Sequence, residues 1–152
     1  MKLIVYEANL KWRFPTVDSK YIDFDCPGTG IESDPYIIEP SKALPGNFGP
    51  FNSKEFIRIQ NCRLAQLNIE SCQNIEFENN KIKGIQLNKC SDCSLVNTEV
   101  ELLSLESCQN IKIADCIVDR LRLYHSGSNS FKNCIIKYRK TIKSKENIFE
   151  NI

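Results

Sequence analysis

From Lys54 onward, apolar and polar positions recur every 18 residues without a gap. Cut at that interval, the chain reads "KEFIRIQNCRLAQLNIES", "CQNIEFENNKIKGIQLNK", "CSDCSLVNTEVELLSLES", "CQNIKIADCIVDRLRLYH", "SGSNSFKNCIIKYRKTIK" and the fragment "SKENIFENI". One apolar column holds Ile59, Phe77, Leu95, Ile113, Phe131 and Phe149; others hold Leu64, Ile82, Val100, Val118 and Ile136, and Ile69, Leu87, Leu105 and Leu123. Within one copy the apolar residues fall at Ile75 and Phe77, then Ile82, then Ile85 and Leu87. Two-residue steps separated by turns describe three short strands per copy, not the i, i+3, i+4 stripe of a helix. One copy cannot bury its apolar face alone, so a fixed period of about 20 residues predicts a solenoid whose coils cover one another.

A polar column keeps the same phase: Asn61, Asn79, Asn97, Asp115, Asn133 and Asn151. Coils about 4.8 Å apart would stack these residues into an asparagine ladder. The Asn amide both donates and accepts, and Asn tolerates the left-handed backbone of a sharp turn, so this column marks a turn. A left-handed hexapeptide solenoid would need an aliphatic residue every six positions, and the apolar residues occupy several phases of six. The leucine-rich repeat shares features of "LAQLNIESCQNI" and "VELLSLESCQNI", but its units of about 20 to 29 residues are longer. The pattern therefore predicts an all-β, right-handed parallel β-helix of about six coils.

The stretch "GTGIESDPYIIEP", followed by a loop and "FIRIQNC", resembles the lead-in to pectin-lyase-like β-helix repeat proteins, including those with repeats named for carbohydrate-binding proteins and sugar hydrolases. The compact coils with cysteines at the turns are also similar to the β-helix of cyclase-associated protein and tubulin cofactor C. The first resemblance covers residues 28–152 and implies a fold shared by enzymes and non-enzymes, with carbohydrate as a ligand class; the second implies protein contacts.

Residues 1–27 lie outside the repeat and carry Trp12, Phe14, Tyr21, Ile22 and Phe24, enough apolar surface for an N-terminal cap on the helix of residues 28–152. "SKALPGNFGPFNSK" reads as a projecting loop. The chain stops inside a coil at "NIFENI", where an uncovered edge predicts contact with another chain, as in a homodimer through the C-terminal coil. A net charge of +1 over 152 residues gives no general attraction to nucleic acid or membrane. "MKLIVYEANLKWRF" has too short an apolar run for a secretory signal, and no stretch reaches membrane-spanning length, so the expected location is cytoplasmic.

In that location the eight cysteines are expected as buried thiols, with no cofactor and no metal. Cys72, Cys90 and Cys108 share one column and Cys62, Cys116 and Cys134 another, following the structural period instead of a ligand spacing. "CSDC" supplies Cys90 and Cys93, but a second C-x-x-C is missing and Cys93 falls in the column of Ile75 and Ile111. Sugar cleavage would need carboxylates clustered on one outer face. The outward column Arg58, Glu76, Ser94, Lys112 and Ser130 never places acids on adjacent coils, and Glu99 and Glu101 near Lys81 and Lys83 read as a solvated face with cross-strand pairs. His125, the single histidine, sits at a coil boundary without a nucleophile motif and reads as a surface turn residue. No catalytic residue is assigned, and the balance of these features is against an enzyme.

One surface trend remains. Along the third outward face, Asn68, Gln86 and Ser104 give way to Arg122 and Lys140, and "KYRKTIKSK" adds further basic residues. Arg120, Arg122, Tyr138, Arg139 and Lys140 are accordingly the candidate ligand- or partner-binding residues. The expectation is a non-catalytic scaffold for protein–protein interaction, self-association included, with a carbohydrate-binding or carbohydrate-cleaving protein as the alternative.

Overall fold

A computed structural model describes residues 2–7, 20–25, 27–39, 47–50 and 54–152, with side chains over 27–39 and 54–152. A first pair of strands, β1 (Lys2–Glu7) and β2 (Lys20–Asp25), is antiparallel; β3 (Tyr36–Ile38) and β4 (Asn47–Pro50) then begin the coil. From there each coil consists of one short and one eight-residue strand: β5 (Ile57–Gln60) and β6 (Arg63–Glu70), β7 (Ile75–Glu78) and β8 (Lys81–Asn88), β9 (Ser94–Val96) and β10 (Glu99–Glu106), β11 (Lys112–Ala114) and β12 (Ile117–Tyr124), β13 (Ser130–Lys132) and β14 (Ile135–Ile142), followed by β15 (Ile148–Glu150). The odd-numbered strands from β3 to β15 form one parallel sheet. The even-numbered strands from β4 to β14 form a second, which β1 and β2 continue antiparallel beyond β4. The chain is thus a parallel β-solenoid with 18-residue coils, and no helix occurs among the described residues.

Two strands per coil replace the expected three because the second and third are joined. In each long strand the third residue leaves the ladder: Val100 faces Val118, and the next pair is Leu102 with Arg120. Ala65, Lys83, Glu101, Asp119 and Lys137 occupy this position. The inward alternation slips by one residue there, so Ile82 points in, then Ile85 and Leu87. One strand with a bend therefore presents two outer faces.

The turns account for the rest of the period. Among the described residues sixteen non-glycine residues have positive φ, and they fall into three columns spaced by 18. The asparagine column, from Asn61 to Asn151, is one of these, as the sequence predicts. The others are Ser71, Lys89, Ser107, His125 and Lys143, and Asn74, Asp92, Asn110, Ser128 and Glu146. Residue type alone does not reveal those two columns, because Lys and Glu do not favour the left-handed region.

What holds them is the residue that follows. Each left-handed residue precedes one that turns inward, and at most of these places the inward side chain is small and hydrogen-bonding. Cys108 Sγ–H donates to the carbonyls of Glu106 and Leu87, both at 3.3 Å; one coil later, Ser126 Oγ–H donates to those of Tyr124 and Leu105, both at 3.0 Å. Ser126 Oγ accepts from the Cys108 amide at 3.0 Å, just as Asn80 Oδ1 accepts from the Cys62 amide at 2.8 Å. Buried backbone groups at the turns are satisfied in this way, which removes the cost of leaving them unpaired.

The asparagine column itself lies on the outside. Asn97 Nδ2 donates to Asn79 Oδ1 at 2.7 Å, and Asn151 to Asn133 at 3.0 Å, but all of these residues are exposed. The column is thus a surface ladder; the buried amides one residue past a left-handed turn are those of Asn80 and Asn129. Between the sheets, Ile59, Phe77, Leu95, Ile113 and Phe131 form one buried column, and Phe131 stacks on Phe149 with centroids 4.7 Å apart. Burying each such side chain contributes about 1.5–3 kcal/mol.

In the lead-in, Thr29 and Gly30 amides both donate to the Asp34 carbonyl at 3.0 Å, and Tyr36 is buried beside them. Gly28, at φ 104°, could not carry a Cβ, which would lie 1.9 Å from the Pro35 carbonyl oxygen. Trp12, Phe14 and most of the expected loop lie outside the described residues.

Candidate functional site

Four of the five candidate residues converge on one face. On β12 and β14, Leu121 and Leu123 point inward or pair with inward positions, so Arg120, Arg122, Tyr138 and Lys140 point out. Arg120 lies in register with Tyr138, and Arg122 with Lys140. All four are exposed, Tyr138 to 73%. The neighbouring outward positions on β10 are Leu102, Ser104 and Glu106, so a single carboxylate borders the patch.

Elsewhere on the solenoid a cation meets an acid one coil away: Arg58 with Glu76 at 2.9 Å, Lys81 with Glu99 at 3.0 Å, and Lys137 with Asp119 at 2.8 Å. The hydrogen bond that Lys137 donates to Asp119, and then the Asp119 charge, raises the Lys137 pKa above its ordinary value. Among the described residues, Arg120, Arg122 and Lys140 have no such partner.

Arg139 stands apart from this face. It occupies the inward column of Leu67, Ile85, Leu103 and Leu121, and its guanidinium lies over the Phe149 ring, 4.1 Å from the centroid. Its cation–π contact covers the outer side of the Phe131–Phe149 stack. The sequence carried the signal for this placement, since the residue 18 positions earlier is Leu121.

A second surface is concave. Where the third residue of each long strand leaves the ladder, the bend forms a groove of about 580 Å3 along the coils. Leu64, Ile82 and Val100 contribute to its lining. Its banks change sign along the axis: Arg63, Lys81 and Lys83 come first, then Glu99, Glu101 and Asp119, and last Lys137, which pairs with Asp119. Lys81 and Glu99 pair across one coil, as the alternating signs of this face suggest, but Lys83 and Glu101, also one coil apart and both exposed, do not. The concavity was missed because strict alternation hides a bend; the local shift from Ile82 to Ile85 is its trace in the sequence.

The thiols form the interior. Seven cysteines from Cys62 to Cys134 are free and buried, and Cys93 lies beneath the surface with Ile75 and Ile111. Burial pushes the Cys62 thiol up to about 11 and the Cys93 thiol up to about 12, which keeps both protonated and non-nucleophilic at neutral pH. In the adjacent pairs Cys90–Cys108 and Cys116–Cys134, interaction with the neighbouring thiol, and then burial, raise Cys108 and Cys116. Among the described residues no group of three or more His, Cys, Asp or Glu side chains could hold a metal ion. His125 is an exposed turn residue at φ 49°. No helix among them is long and apolar enough to cross a membrane.

Comparison with known proteins finds no matching family model, no matching curated protein and no matching solved structure, so the fold and these two surfaces carry the functional reading.

Proposed function

We propose that this chain is a non-catalytic scaffold of the right-handed β-helix type, with a lead-in similar to that of pectin-lyase-like repeat proteins, and that the flat face of β12 and β14 holds a protein partner. The supporting observation is the register pair Arg122–Lys140: two cations directly opposite each other, with Arg120 beside them and none of the three in an ion pair. Like charges at such positions are destabilising, whereas three other cations on the solenoid meet an acid. An acidic segment of a partner would neutralise the cluster, and guanidinium groups grip carboxylates through paired hydrogen bonds. Exposed Arg and Tyr are also the residue types that anchor interfaces.

The test compares wild type with the triple variant Arg120→Gln, Arg122→Gln, Lys140→Gln in capture from a native extract. A protein held by wild type, released by salt and lost from the variant is the expected result. Equal capture by both overturns the reading. Light scattering across micromolar concentrations adds a further arm, because a dimer mass abolished by the same variant makes the partner a second copy. Glycan-array binding lost on Tyr138→Ala would replace this reading with a carbohydrate-binding one.

A further inference from the structure

The groove at the strand bend lies on a different face from the basic patch and has its own chemistry. Its cations Arg63, Lys81 and Lys83 occupy the coils of β6 and β8 and its acids those of β10 and β12, and Lys137 of β14, paired with Asp119, closes the far end. Lys81 and Glu99 satisfy each other, which leaves Arg63, Lys83 and Glu101 with no ion-pair partner among the described residues. Lys83 and Glu101 are of opposite sign and occupy the same position on adjacent coils, yet they are not paired, unlike Asp119 and Lys137 at that position on the next two coils.

We propose that this groove binds an extended peptide segment of a partner protein carrying one acidic and one basic side chain two residues apart. The acidic side chain faces Arg63 and Lys83, and the basic one faces Glu101. Geometry favours that spacing. Coils repeat about every 4.8 Å, and alternate residues of an extended chain lie about 6.6–6.8 Å apart on one face. The unpaired cations Arg63 and Lys83 lie on adjacent coils and Glu101 one coil beyond Lys83, so Glu101 is about one and a half coils, roughly 7 Å, from the midpoint of the two cations. Side chains of an extended segment that point into the groove meet Leu64, Ala65 and Ile117 beside the charges. Ligand sites commonly combine such apolar lining with a few placed charges, in volumes of about 300–1,000 Å3.

The probes are four acetylated and amidated fluorescent hexapeptides, identical except at positions two and four, which carry Glu and Lys, Glu and Glu, Lys and Lys, or Gln and Gln. Fluorescence anisotropy with wild-type protein should show the mixed peptide binding at least about tenfold more tightly than the other three. Lys83→Glu should move the preference to the Lys/Lys peptide, and Glu101→Lys should move it to the Glu/Glu peptide. Both residues are exposed and unpaired, so circular dichroism should show unchanged melting; if either reversal fails to fold, Lys83→Gln with Glu101→Gln should erase the preference instead. Equal binding of all four peptides, no binding at millimolar concentration, or an unchanged order in the folded variants would overturn the proposal. So would displacement of the mixed peptide by an equal concentration of free glycylglycine, which would mean that the groove reads a small zwitterion.

Discussion

Cys108 and Ser126 occupy equivalent places on adjacent coils and donate to equivalent pairs of carbonyls, so the thiol acts there as a longer hydroxyl. Cys93 donates to a single carbonyl, that of Ser91 at 3.2 Å, and the residues above and below it are Ile75 and Ile111. Replacement by Ser should therefore be milder than replacement by Val at Cys108, by about 1 kcal/mol, and the order should reverse at Cys93. Melting curves of the four variants check this, and the same order at both sites would refute a hydrogen-bonding role for the first thiol. Burial also links these thiols to pH. Their folded pKa values, about 11 for Cys62 and about 12 for Cys93, lie above the ordinary value of 9.0, so the folded state keeps its protons longer than the unfolded chain. Stability from this source is complete below pH 9 and declines as pH rises toward 12. Cys93→Val should make the alkaline fall in melting temperature shallower than that of wild type, and parallel falls would show that the thiol does not contribute.

At the level of the turn, two asparagines with one chemistry have different consequences. Asn97 is exposed at φ 46°, and its amide bonds along the surface to Asn79. Asn129 is buried and accepts the Ile111 amide at 2.9 Å. Asn97→Gly keeps the left-handed turn and should change stability by less than about 1 kcal/mol, whereas Asn129→Leu strands a buried amide and should cost about 1–3 kcal/mol. Denaturant titration of both decides, and a larger loss at Asn97 would make the outer ladder the structural one. The sequence revealed the outer column because its residue type repeats almost without change. It concealed the inner columns because Cys, Thr, Asn and Ser substitute for one another wherever a short donor or acceptor suffices, as in Cys62, Asn80, Thr98 and Cys116. The core and coil length were legible for a related reason: period-18 apolar columns survive substitution within Ile, Leu, Val and Phe. The groove was not, since a bend changes which residues share a face without changing their order. Arg139 was misplaced by grouping it with its basic sequence neighbours instead of with Leu121 one coil before.

Across the whole solenoid, the interior is not uniform. The column Leu67, Ile85, Leu103, Leu121 leads to Arg139, and the column Ile69, Leu87, Leu105, Leu123 leads to Thr141. At the turns, Cys72, Cys90 and Cys108 are followed by Ser126 and Ser144, and Ile111 by Asn129 and Asn147. Apolar burial per coil thus falls from β10 toward β14 and β15, while the backbone ladder continues unchanged. In a solenoid each coil is stabilised mainly by its neighbours, so openings can be local and weakest where the interior is most polar. Amides of β14 and β15 should accordingly exchange at least about tenfold faster than those of β8 and β10 under native conditions. The basic face straddles this gradient, with Arg120 and Arg122 on β12 and Tyr138 and Lys140 on β14. An acidic partner bridging both strands would have to order β14 on binding, and exchange in β14 should slow in its presence while that of β8 stays constant. Uniform protection in the free protein would mean that the coils open together, and that the polar end of the core is no weaker than its middle.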